Sequence, residues 1–568
     1  MTGLRAAPVV AAVTAYAPSR HPAPCDIDLA GSEGPGDTAF LARALGAAAS
    51  AGRHYPDASR LTAALAVRLG IGRERVLVTA GADDALERAC RAVLAPDRDA
   101  ILSAPTFEML PRYVALTGAT AITVPWSDDA FPVAAVVAAA THRTSLIAIV
   151  SPNNPTGAVL SIEDIRRIHD AVPGALLLLD LVYVDFADVD PTAAALQLPR
   201  LLVVRTFSKA WGLAGLRVGY AAGPADVIGW MRAAGSPYPV SGTSLVVAER
   251  ALAEREAAVA THVAAVRTVR ARLTALLESL GLTPVASQAN FVCVATAHAT
   301  WLRDALAGFG VAVRSLTAPD TDRLRITCPA DEVAFARVEA GLRTALQPQA
   351  ILFDLDGVLA DVSQSYRIAI QETAARFGVP LSAGAIRDRK AAGNANDDWA
   401  LTAALIHDTG RDASLTEVTT VFERLYQGDG NVSGLREAET LTTSRPWLAD
   451  LARRFPLAIV TGRPRADAER FLANAGIRDL FRAVIVREDG PAKPDPFPVR
   501  AAMNALGVTR AWLIGDTPDD IRAARSAGAL PLGVVAPGDT PDTMTPALLA
   551  AGAAQVYHTV EEITSCLP

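Results

Sequence analysis

The sequence predicts an α/β fold in two parts. Short apolar runs alternate with helical patterns from about residue 60 to 230, as expected of a sheet with helices on its faces. A second apolar run, ILFDLD, begins near residue 350 and opens another series of strand-like segments that end in polar residues. At 568 residues the chain is too long for one ordinary hydrophobic core, so two or more domains are expected.

Composition and charge exclude several classes of protein. Hydrophobic residues make up 51% of the chain and charged residues 20%, a balance typical of packed domains rather than disorder. The net charge is -7 and no block of Lys or Arg resembles a nucleic-acid-binding arm. The five cysteines are scattered without a C-x-x-C pair, and no run of about twenty apolar residues occurs. We therefore expect a cytoplasmic protein without disulfides, structural zinc or a membrane span.

The stretch RTFSKAWGLAGLRVGY, residues 205–220, carries the first candidate site. Its apolar start predicts a strand, and SKAWG predicts an abrupt turn. A desolvated lysine such as Lys209 can form a Schiff base with an aldehyde and then move protons at a substrate carbon. The hydroxyls of Thr206 and Ser208 and the cation of Arg217 suit a phosphate, so the stretch predicts a pyridoxal-phosphate site. The alternative is a surface lysine beside a Gly-rich loop.

Two earlier stretches offer weaker signals for the same ligand. VLVTAGADDALERACRAVL predicts a strand, a glycine turn and a helix whose first amides, at Gly81, Ala82 and Asp83, can bind phosphate. Phe107 can lie flat on a pyridine ring, although an aromatic residue at a strand end is also a common core residue.

Two predicted strands end in polar side chains, where α/β sheets place their ligands. TSLIAIVSPNNPTG places Asn154 after a buried strand, where it can donate to a phenolate oxygen or form an Asx turn before Pro155. GALLLLDLVYVDF ends its strand at Asp180, and a carboxylate buried there needs a partner such as a protonated pyridine nitrogen. Tyr183, three residues on, can reach the phenolate side.

In this order the motifs Y-P-D, G-A-D-D, P-T-F, N-N-P-T-G, D-x-x-Y and S-K…R resemble the fold-type I aminotransferases, and most closely the histidinol-phosphate aminotransferase branch. The resemblance covers roughly residues 15–345 and implies a large sheet domain plus a small α/β domain, with glutamate as amino donor. It implies that Lys209 carries the cofactor and Asp180 pairs with its nitrogen. Tyr55 matches a tyrosine that reaches the neighbouring subunit's cofactor, so a homodimer is implied. The remaining implied contacts are Tyr183 and Asn154 to the phenolate oxygen, Phe107 to the ring, Ala82, Asp83, Thr206, Ser208 and Arg217 to the phosphate, and Tyr16, Arg314 and Arg325 to the substrate.

Three departures from that family concern the substrate side. Leu181 stands where the family usually has an acidic residue, GSEGP lacks the usual Asn-Glu pair, and Phe107 lacks the hydroxyl of the common tyrosine. Aminotransfer is therefore predicted more firmly than the identity of the substrate.

The second part of the chain predicts phosphate-ester chemistry. FDLDGVLAD carries Asp354 and Asp356 two residues apart, so in an extended chain both carboxylates project to one side. One can attack phosphorus while the other protonates the leaving oxygen and later activates water, with Mg²⁺ as the natural cation. Later strand ends supply polar groups for the phosphate and the metal, although an aspartate after a strand is also a frequent helix cap. These groups are Thr461, Gly462, Lys493, Asp516, Asp519 and Asp520.

Four strand-end groups in this order resemble the haloacid dehalogenase superfamily over roughly residues 350–568. They are Asp354 with Asp356, Thr461 with Gly462, Lys493, and Asp516 with Asp519 and Asp520. The resemblance implies a Rossmann-like domain with a helical cap at about 363–445. Asp354 is then the nucleophile and Asp356 the acid/base. Thr461, Gly462 and Lys493 bind the phosphoryl group, and Asp516 and Asp520 join Asp354 and Asp356 at Mg²⁺. The motif GNANDDW in the cap either contributes polar contacts or caps a helix.

The two resemblances predict domains at 1–347 and 348–568 that aminate a phosphorylated ketone and then remove its phosphate. Imidazole-acetol phosphate, histidinol phosphate and histidinol are related by two such consecutive steps, which makes a bifunctional histidine-pathway enzyme the leading hypothesis. A different phosphorylated metabolite, or a second domain with a regulatory or scaffolding role, is the alternative.

Overall fold

The computed structural model describes residues 4–17, 20–126, 130–316, 322–393, 395, 397–429 and 432–568. The chain forms two compact units. The first comprises 1–19, Leu29–Ala299 and Arg314–Glu332, and the second Arg20–Asp28, Thr300–Val313 and Val333–Pro568. Because three segments before residue 348 belong to the second unit, namely 20–28, 300–313 and 333–347, the domain boundary expected at 347/348 stays a prediction.

A seven-stranded sheet forms the centre of the first unit. Its strands are parallel except Gly219–Ala222, which runs antiparallel to both neighbours. In spatial order the strands are Val76–Thr79, Gly219–Ala222, Leu201–Thr206, Leu176–Asp180, Thr144–Val150, Asp99–Ala104 and Thr120–Pro125.

Helices cover both faces of this sheet, which explains its uninterrupted apolar strands. In Leu176–Asp180, Leu177 and Leu179 pack into the core on one face and Leu176 and Leu178 into the core on the other. Asp180 is then the first polar residue of a strand with no solvent-facing side. The helices of the unit are Pro8–Ala11, Thr38–Ala47, Ser59–Leu69, Gly81–Val93, Met109–Leu116, Val133–Ala139, Ile162–Ala171, Thr192–Ala195, Ala225–Ala233, Gly242–Glu254 and Glu256–Ser279.

The helical stretch predicted after residue 235 consists of two helices that meet at Arg255. The first is capped by Ser241, whose hydroxyl accepts from the Ser244 amide, and the second begins at Glu256. They lead into a small antiparallel sheet with the strand order Arg314–Leu316, Arg323–Thr327 and Phe291–Ala295. This sheet carries both predicted substrate arginines.

The second unit is built on a six-stranded parallel sheet. Its strands, in spatial order, are Phe481–Ile485, Leu457–Val460, Ala350–Phe353, Ala511–Gly515, Leu530–Val534 and Gln555–Tyr557. The helices that accompany the sheet are Arg445–Arg454, Arg465–Asn474, Phe497–Leu506, Pro518–Ala527 and Pro541–Ala551.

Four helices lie in the predicted cap region: Tyr366–Arg376, Ala383–Ala392, Asp398–His407 and Leu415–Gln427. The short antiparallel strands Ala360–Asp361 and Thr440–Leu441 bring the two ends of this region together. Within GNANDDW, Asn394 and Asn396 lie outside the described residues, and Asp397 caps the third helix by accepting from the amides of Trp399 and Ala400.

Segments that precede residue 348 pack directly on the second sheet. The Trp512 side chain is fully buried, and its indole nitrogen donates to the Thr344 carbonyl at 2.7 Å. Its ring lies 5.2 Å from that of Trp301. Thr344 belongs to the helix Glu332–Leu346 and Trp301 to Ala299–Gly308.

All five cysteines are free thiols, as expected. Across the described ranges, none of the helices combines the length and the apolar character that a membrane crossing requires.

Two candidate active sites

A cavity of about 110 Å³ lies at the carboxyl ends of the parallel strands in the first unit. It brings together residues that are up to 135 positions apart in sequence, Ala82 and Arg217 being the outermost. All the predicted cofactor residues except Tyr55 line it: Ala82, Asp83, Phe107, Asn154, Asp180, Tyr183, Thr206, Ser208, Lys209 and Arg217.

Lys209 occupies the turn after the strand Leu201–Thr206. Its Nζ donates to the Gly31 carbonyl at 3.0 Å and lies 5.4 Å from the centre of the Tyr183 ring. The segment around Gly34 approaches this turn so closely that a Cβ at Gly34 would lie 2.2 Å from the Lys209 carbonyl oxygen. The GSEGPG segment, which the sequence analysis connected only with the substrate side, therefore also packs against the lysine turn.

Asp180 is a buried carboxylate at the end of its strand. One oxygen accepts from the Val182 amide at 3.2 Å, and no ion pair to Asp180 occurs among the described residues. Burial raises the pKa of Asp180 to about 7, against the opposing effects of that hydrogen bond and of the Lys209 charge. A cationic group that entered the cavity would therefore stabilise the Asp180 carboxylate.

Polar groups suited to a phosphate lie together at one end of the cavity. The Thr206 hydroxyl donates to the Ser208 hydroxyl at 2.9 Å, and Arg217 donates to an Asp83 carboxylate oxygen at 2.8 Å. Ala82 and Asp83 belong to the first turn of the helix Gly81–Val93, whose amides at this end have no partner within the helix. Two hydroxyls, a guanidinium and a helix N-terminus fit a phosphate dianion.

The predicted substrate arginines have different partners. Arg325 is buried, donates to the Asn154 side-chain oxygen at 2.6 Å and to the Ala30 carbonyl, and forms no ion pair in the described part of the chain. Burial lowers its pKa. Arg314 donates to the Tyr16 hydroxyl at 3.3 Å and pairs with Glu108. Sequence reasoning missed Glu108, although it directly follows Phe107.

Tyr55 lies outside the cavity of its own chain. Its side chain is 82% exposed and stacks on Tyr238 with ring centres 4.9 Å apart. Leu181, one of the departures from the family pattern, is buried in the core on one face of the sheet.

The second candidate site lies at the carboxyl ends of the strands Ala350–Phe353 and Ala511–Gly515. Carboxylate oxygens of Asp354, Asp516 and Asp520 all lie within 4.8 Å of one another, and the three residues are buried. Gly357 permits this approach, since its φ is +76° and a Cβ there would lie 2.3 Å from an Asp516 oxygen.

Lys493 is the nearest counter-charge for these carboxylates. Its Nζ lies 2.9 Å from an Asp354 oxygen, pairs with Asp520, and donates to the Val460 carbonyl at 3.1 Å. Burial still raises the pKa of Asp354 to about 7, and burial together with the two other carboxylates raises that of Asp516 well above its usual value. Three clustered carboxylate oxygens with one lysine fit a divalent cation with oxygen ligands, such as Mg²⁺.

The Asp356 carboxylate lies apart from that cluster. It accepts from the Arg463 Nε at 2.7 Å, while Arg463 also donates to Glu439 at 2.8 Å. A metal-ligand role for the Asp356 side chain therefore stays a prediction. Sequence reasoning missed Arg463 and Glu439, although Arg463 directly follows the predicted Thr461 and Gly462.

Thr461 and Gly462 follow the strand Leu457–Val460. The Thr461 side chain is buried, and its hydroxyl accepts from the Arg463 amide at 3.1 Å. The ends of the parallel strands in the second unit thus carry carboxylates, a hydroxyl and a lysine, groups that can bind a divalent cation and a phosphate ester.

A cofactor cavity on a doubly covered sheet and a carboxylate cluster on a second parallel sheet define an enzyme with two catalytic domains. Residues 41–334 match the family described as aminotransferase class I and II, and residues 348–528 match haloacid dehalogenase-like hydrolase. The chain belongs to the class I and II aminotransferases and carries a haloacid dehalogenase-like hydrolase domain after them. The predicted fold class and the predicted pairing of enzyme families are confirmed.

Three curated relatives illustrate the similarity. The chain is 48% identical over 223 residues to an imidazoleglycerol-phosphate dehydratase of Phytophthora nicotianae, covering 38% of the chain and 48% of that relative. It is 33% identical over 349 residues to an aromatic amino acid aminotransferase of Mycobacteroides abscessus, covering 60% of the chain and 99% of the relative. It is 34% identical over 271 residues to histidinol-phosphate aminotransferase 1 of Thiobacillus denitrificans, covering 46% and 70%. The chain thus spans about half the length of the first relative and nearly all of the second.

A solved structure shows the same fold. The histidinol-phosphate aminotransferase from Sinorhizobium meliloti in complex with pyridoxal-5'-phosphate aligns with a TM-score of 0.54 at 24% identity, covering 60% of this chain and 96% of that one. At this identity the likeness concerns the fold alone.

Proposed function

We propose that the chain is a bifunctional enzyme that aminates a phosphorylated ketone with the help of pyridoxal phosphate and hydrolyses a phosphate monoester with the help of Mg²⁺. The observation that carries the proposal is the presence in one chain of both donor sets, the cavity around Lys209 and Asp180 and the cluster of Asp354, Asp516 and Asp520.

In the first site, different side chains bind different parts of the cofactor. Thr206, Ser208 and Arg217 hold its phosphate, and Asp180 holds the proton on its ring nitrogen, which gives that carboxylate the cation it lacks. The bound cofactor supplies an aldehyde that captures amines and a ring that accepts electrons from the substrate carbon. Lys209 carries the cofactor and moves the proton at that carbon.

The ketone and its amino product are held by their anionic groups. Arg325 is a buried cation fixed by neutral acceptors, Asn154 and Ala30, so an anion can bind it without displacing a carboxylate. Because Asn154 uses its oxygen on Arg325, its amide nitrogen remains to donate to the cofactor. Arg314 can bind a second anion, but its ion pair with Glu108 must then break.

In the second site the chain's own groups carry the ester through two transfers. Asp354 attacks phosphorus while Asp356 protonates the leaving oxygen, and Asp356 then removes a proton from the water that attacks the phosphorylated Asp354. Thr461 and Lys493 hold the phosphoryl oxygens. Asp354, Asp516 and Asp520 would hold Mg²⁺, which would offset the charge of the carboxylates and the phosphate.

We propose histidinol phosphate as the compound that links the two activities. Two groups of relatives support this assignment, because one is named for histidinol phosphate and the other for imidazoleglycerol phosphate, both imidazole-bearing phosphate esters. Amination of imidazole-acetol phosphate would supply histidinol phosphate, which the second domain would hydrolyse to histidinol.

A second candidate is aminotransfer on an aromatic amino acid or another phosphorylated metabolite. The aromatic amino acid aminotransferase relatives favour it, because the chain covers 99% of one of them. In that case the second domain acts on an unrelated ester or has a regulatory role.

The test uses the purified full chain with pyridoxal phosphate and Mg²⁺. L-histidinol phosphate is supplied as the only phosphate ester, phosphate release is followed, and glutamate formation is measured after addition of 2-oxoglutarate. L-phenylalanine replaces histidinol phosphate in a parallel assay. The histidinol phosphate assignment requires both products and a higher kcat/KM for histidinol phosphate than for phenylalanine in glutamate formation.

Two variants assign each product to one site. Lys209→Ala should abolish glutamate formation and keep phosphate release, and Asp354→Asn should do the reverse. If Asp354→Asn still releases phosphate at the original rate, the second domain is not the phosphatase and the regulatory role gains support.

We also propose a homodimer in which Tyr55 of each chain reaches the cofactor of the other. Its 82% exposure in the single chain and its absence from the lining of that chain's own cavity support this. Mixing inactive Lys209→Ala with Tyr55→Ala should restore part of the activity, because one of the two sites in each hybrid then has both groups intact. A monomeric mass in solution would contradict the proposal.

A further inference from the structure

Arg463 lies at the centre of a buried polar network behind the acid/base residue of the second site. Its Nε donates to Asp356 at 2.7 Å and its Nη1 to Glu439 at 2.8 Å. The same Nη1 lies 3.3 Å from the Tyr426 hydroxyl. The guanidinium is also within 5.1 Å of the centre of the Tyr366 ring.

Glu439 is itself fixed by neutral donors. The Ser365 hydroxyl donates to it at 2.9 Å and the Tyr426 hydroxyl at 3.1 Å. Because Glu439 compensates the charge of Arg463, the guanidinium does not depend on Asp356 as its counter-ion. Arg463 can therefore stay in place whether or not Asp356 carries a proton.

The three charged side chains of the network differ in how far they are exposed to solvent. The side chains of Arg463 and Glu439 are 1% and 4% exposed, whereas that of Asp356 is 24% exposed. Of these three groups only Asp356 is thus accessible to a substrate, and its charge acts on the neighbouring Asp354. The planar guanidinium holds that carboxylate through the Nε hydrogen bond, and its Nη2 lies 2.5 Å from the same oxygen as an ion-pair contact.

We propose that Arg463, held by Glu439, is a positioning residue that orients the Asp356 carboxyl group toward the leaving oxygen of the phosphate ester. This inference rests on the proposed phosphatase function. As the Asp354 oxygen bonds to phosphorus, the bond from phosphorus to the ester oxygen breaks and the proton of Asp356 moves to that oxygen, so the alcohol leaves neutral. Water then returns a proton to Asp356, and its oxygen displaces Asp354 to release phosphate.

Two esters with different leaving groups separate positioning from a general structural role. Phenethyl phosphate must lose an alkoxide and needs the proton, whereas p-nitrophenyl phosphate loses a stable phenolate and hardly needs it. In Arg463→Lys of the full chain, kcat for phenethyl phosphate should fall by roughly 100-fold or more, the size of a lost general-acid contribution. KM should change little, and kcat for p-nitrophenyl phosphate should fall only a few-fold.

Glu439→Gln is the second variant, since it keeps the shape of the network and removes the charge that anchors Arg463. The same selective loss is expected, with a smaller factor. Arg487→Lys is the matched control, because Arg487 also joins the sheet domain to the cap through Asp397, at 2.6 Å, without touching Asp356. Its losses should be equal for the two esters.

Equal losses for both esters in Arg463→Lys and Glu439→Gln, or no loss for either ester, overturn the positioning role and leave the phosphatase function standing. If the unaltered chain with Mg²⁺ hydrolyses neither these two esters nor L-histidinol phosphate, the proposed phosphatase function fails and the positioning role fails with it.

Discussion

Replacement of Asp180 by asparagine should stabilise the cofactor-free protein at alkaline pH while it disables aminotransfer. Burial raises the pKa of Asp180 from 3.8 to about 7, because the ionised carboxylate lies in the first unit without a cationic partner among the described residues. A raised folded-state pKa contributes stability that is complete below the unfolded-state value and is lost as pH rises through the folded-state value. The cofactor-free wild type should therefore lose stability between about pH 4 and pH 7 on account of this one group.

The size of the effect follows from the difference between the two pKa values. A difference of about 3 units, at about 1.4 kcal/mol each, corresponds to roughly 4 kcal/mol at pH 8. Asparagine is neutral at every pH and keeps an oxygen to accept from the Val182 amide, so it avoids this cost. The variant should thus equal the wild type near pH 4 and exceed it by up to about 4 kcal/mol at pH 8.

Thermal unfolding of the full chain without pyridoxal phosphate, followed by calorimetry at pH 5, 6, 7 and 8, measures this difference. Asp188→Asn serves as the control, because Asp188 is exposed and should give the same small difference at every pH. Pyridoxal phosphate should reverse the order of stability, since its protonated nitrogen pairs with Asp180 but not with asparagine. If the asparagine variant is no more stable than the wild type at pH 8, Asp180 is not the uncompensated buried carboxylate described above.

Three further predictions concern the second unit. Trp512→Phe should lower the free energy of unfolding by about 1–3 kcal/mol, because the buried Thr344 carbonyl loses its hydrogen-bond donor. Calorimetry measures the change in stability, and an unchanged Tm would contradict the role of this contact. Gly357→Ala should abolish phosphate release and leave glutamate formation intact, since the added Cβ would lie 2.3 Å from an Asp516 oxygen; full phosphatase activity would refute this. Lys493→Met should destabilise the metal-free unit by about 3–5 kcal/mol, because Asp354 and Asp520 lose their counter-charge. Mg²⁺ should raise the Tm of this variant more than that of the wild type, because the cation replaces the lost charge. An equal effect of Mg²⁺ on the two proteins would contradict this prediction.

The positions of the site residues could be predicted wherever a strand end determines them. Asn154, Asp180 and Thr206 follow apolar runs, and the carboxyl ends of parallel strands meet at one edge of a sheet, so their convergence needs no knowledge of the loops. Asp354 and Asp516 were predictable for the same reason.

Contacts between elements far apart in sequence could not be predicted in the same way. Arg325 and Asn154 lie 171 residues apart, and nothing in either motif specifies that one donates to the other. Arg463 and Glu439 pair across 24 residues because the two short strands that close the cap bring its ends to the sheet, which is a property of tertiary structure. The end of a helix at Glu254 could not be predicted either, because the helical spacing of apolar residues continues through Arg255.

Both candidate sites follow one electrostatic principle. Each ends a buried strand with carboxylates that have few ion pairs among the described residues: none for Asp180, and those of Lys493 with Asp354 and Asp520 in the second unit. Such groups destabilise a fold by several kcal/mol unless a cation compensates them. Because a bound cation would lower the raised pKa values of Asp180 and Asp354, the stability that these carboxylates cost the protein without its ligands would contribute to binding free energy. The charge deficit at each site thus favours a cationic ligand, which in the proposed function is a protonated ring nitrogen in the first unit and a divalent metal ion in the second.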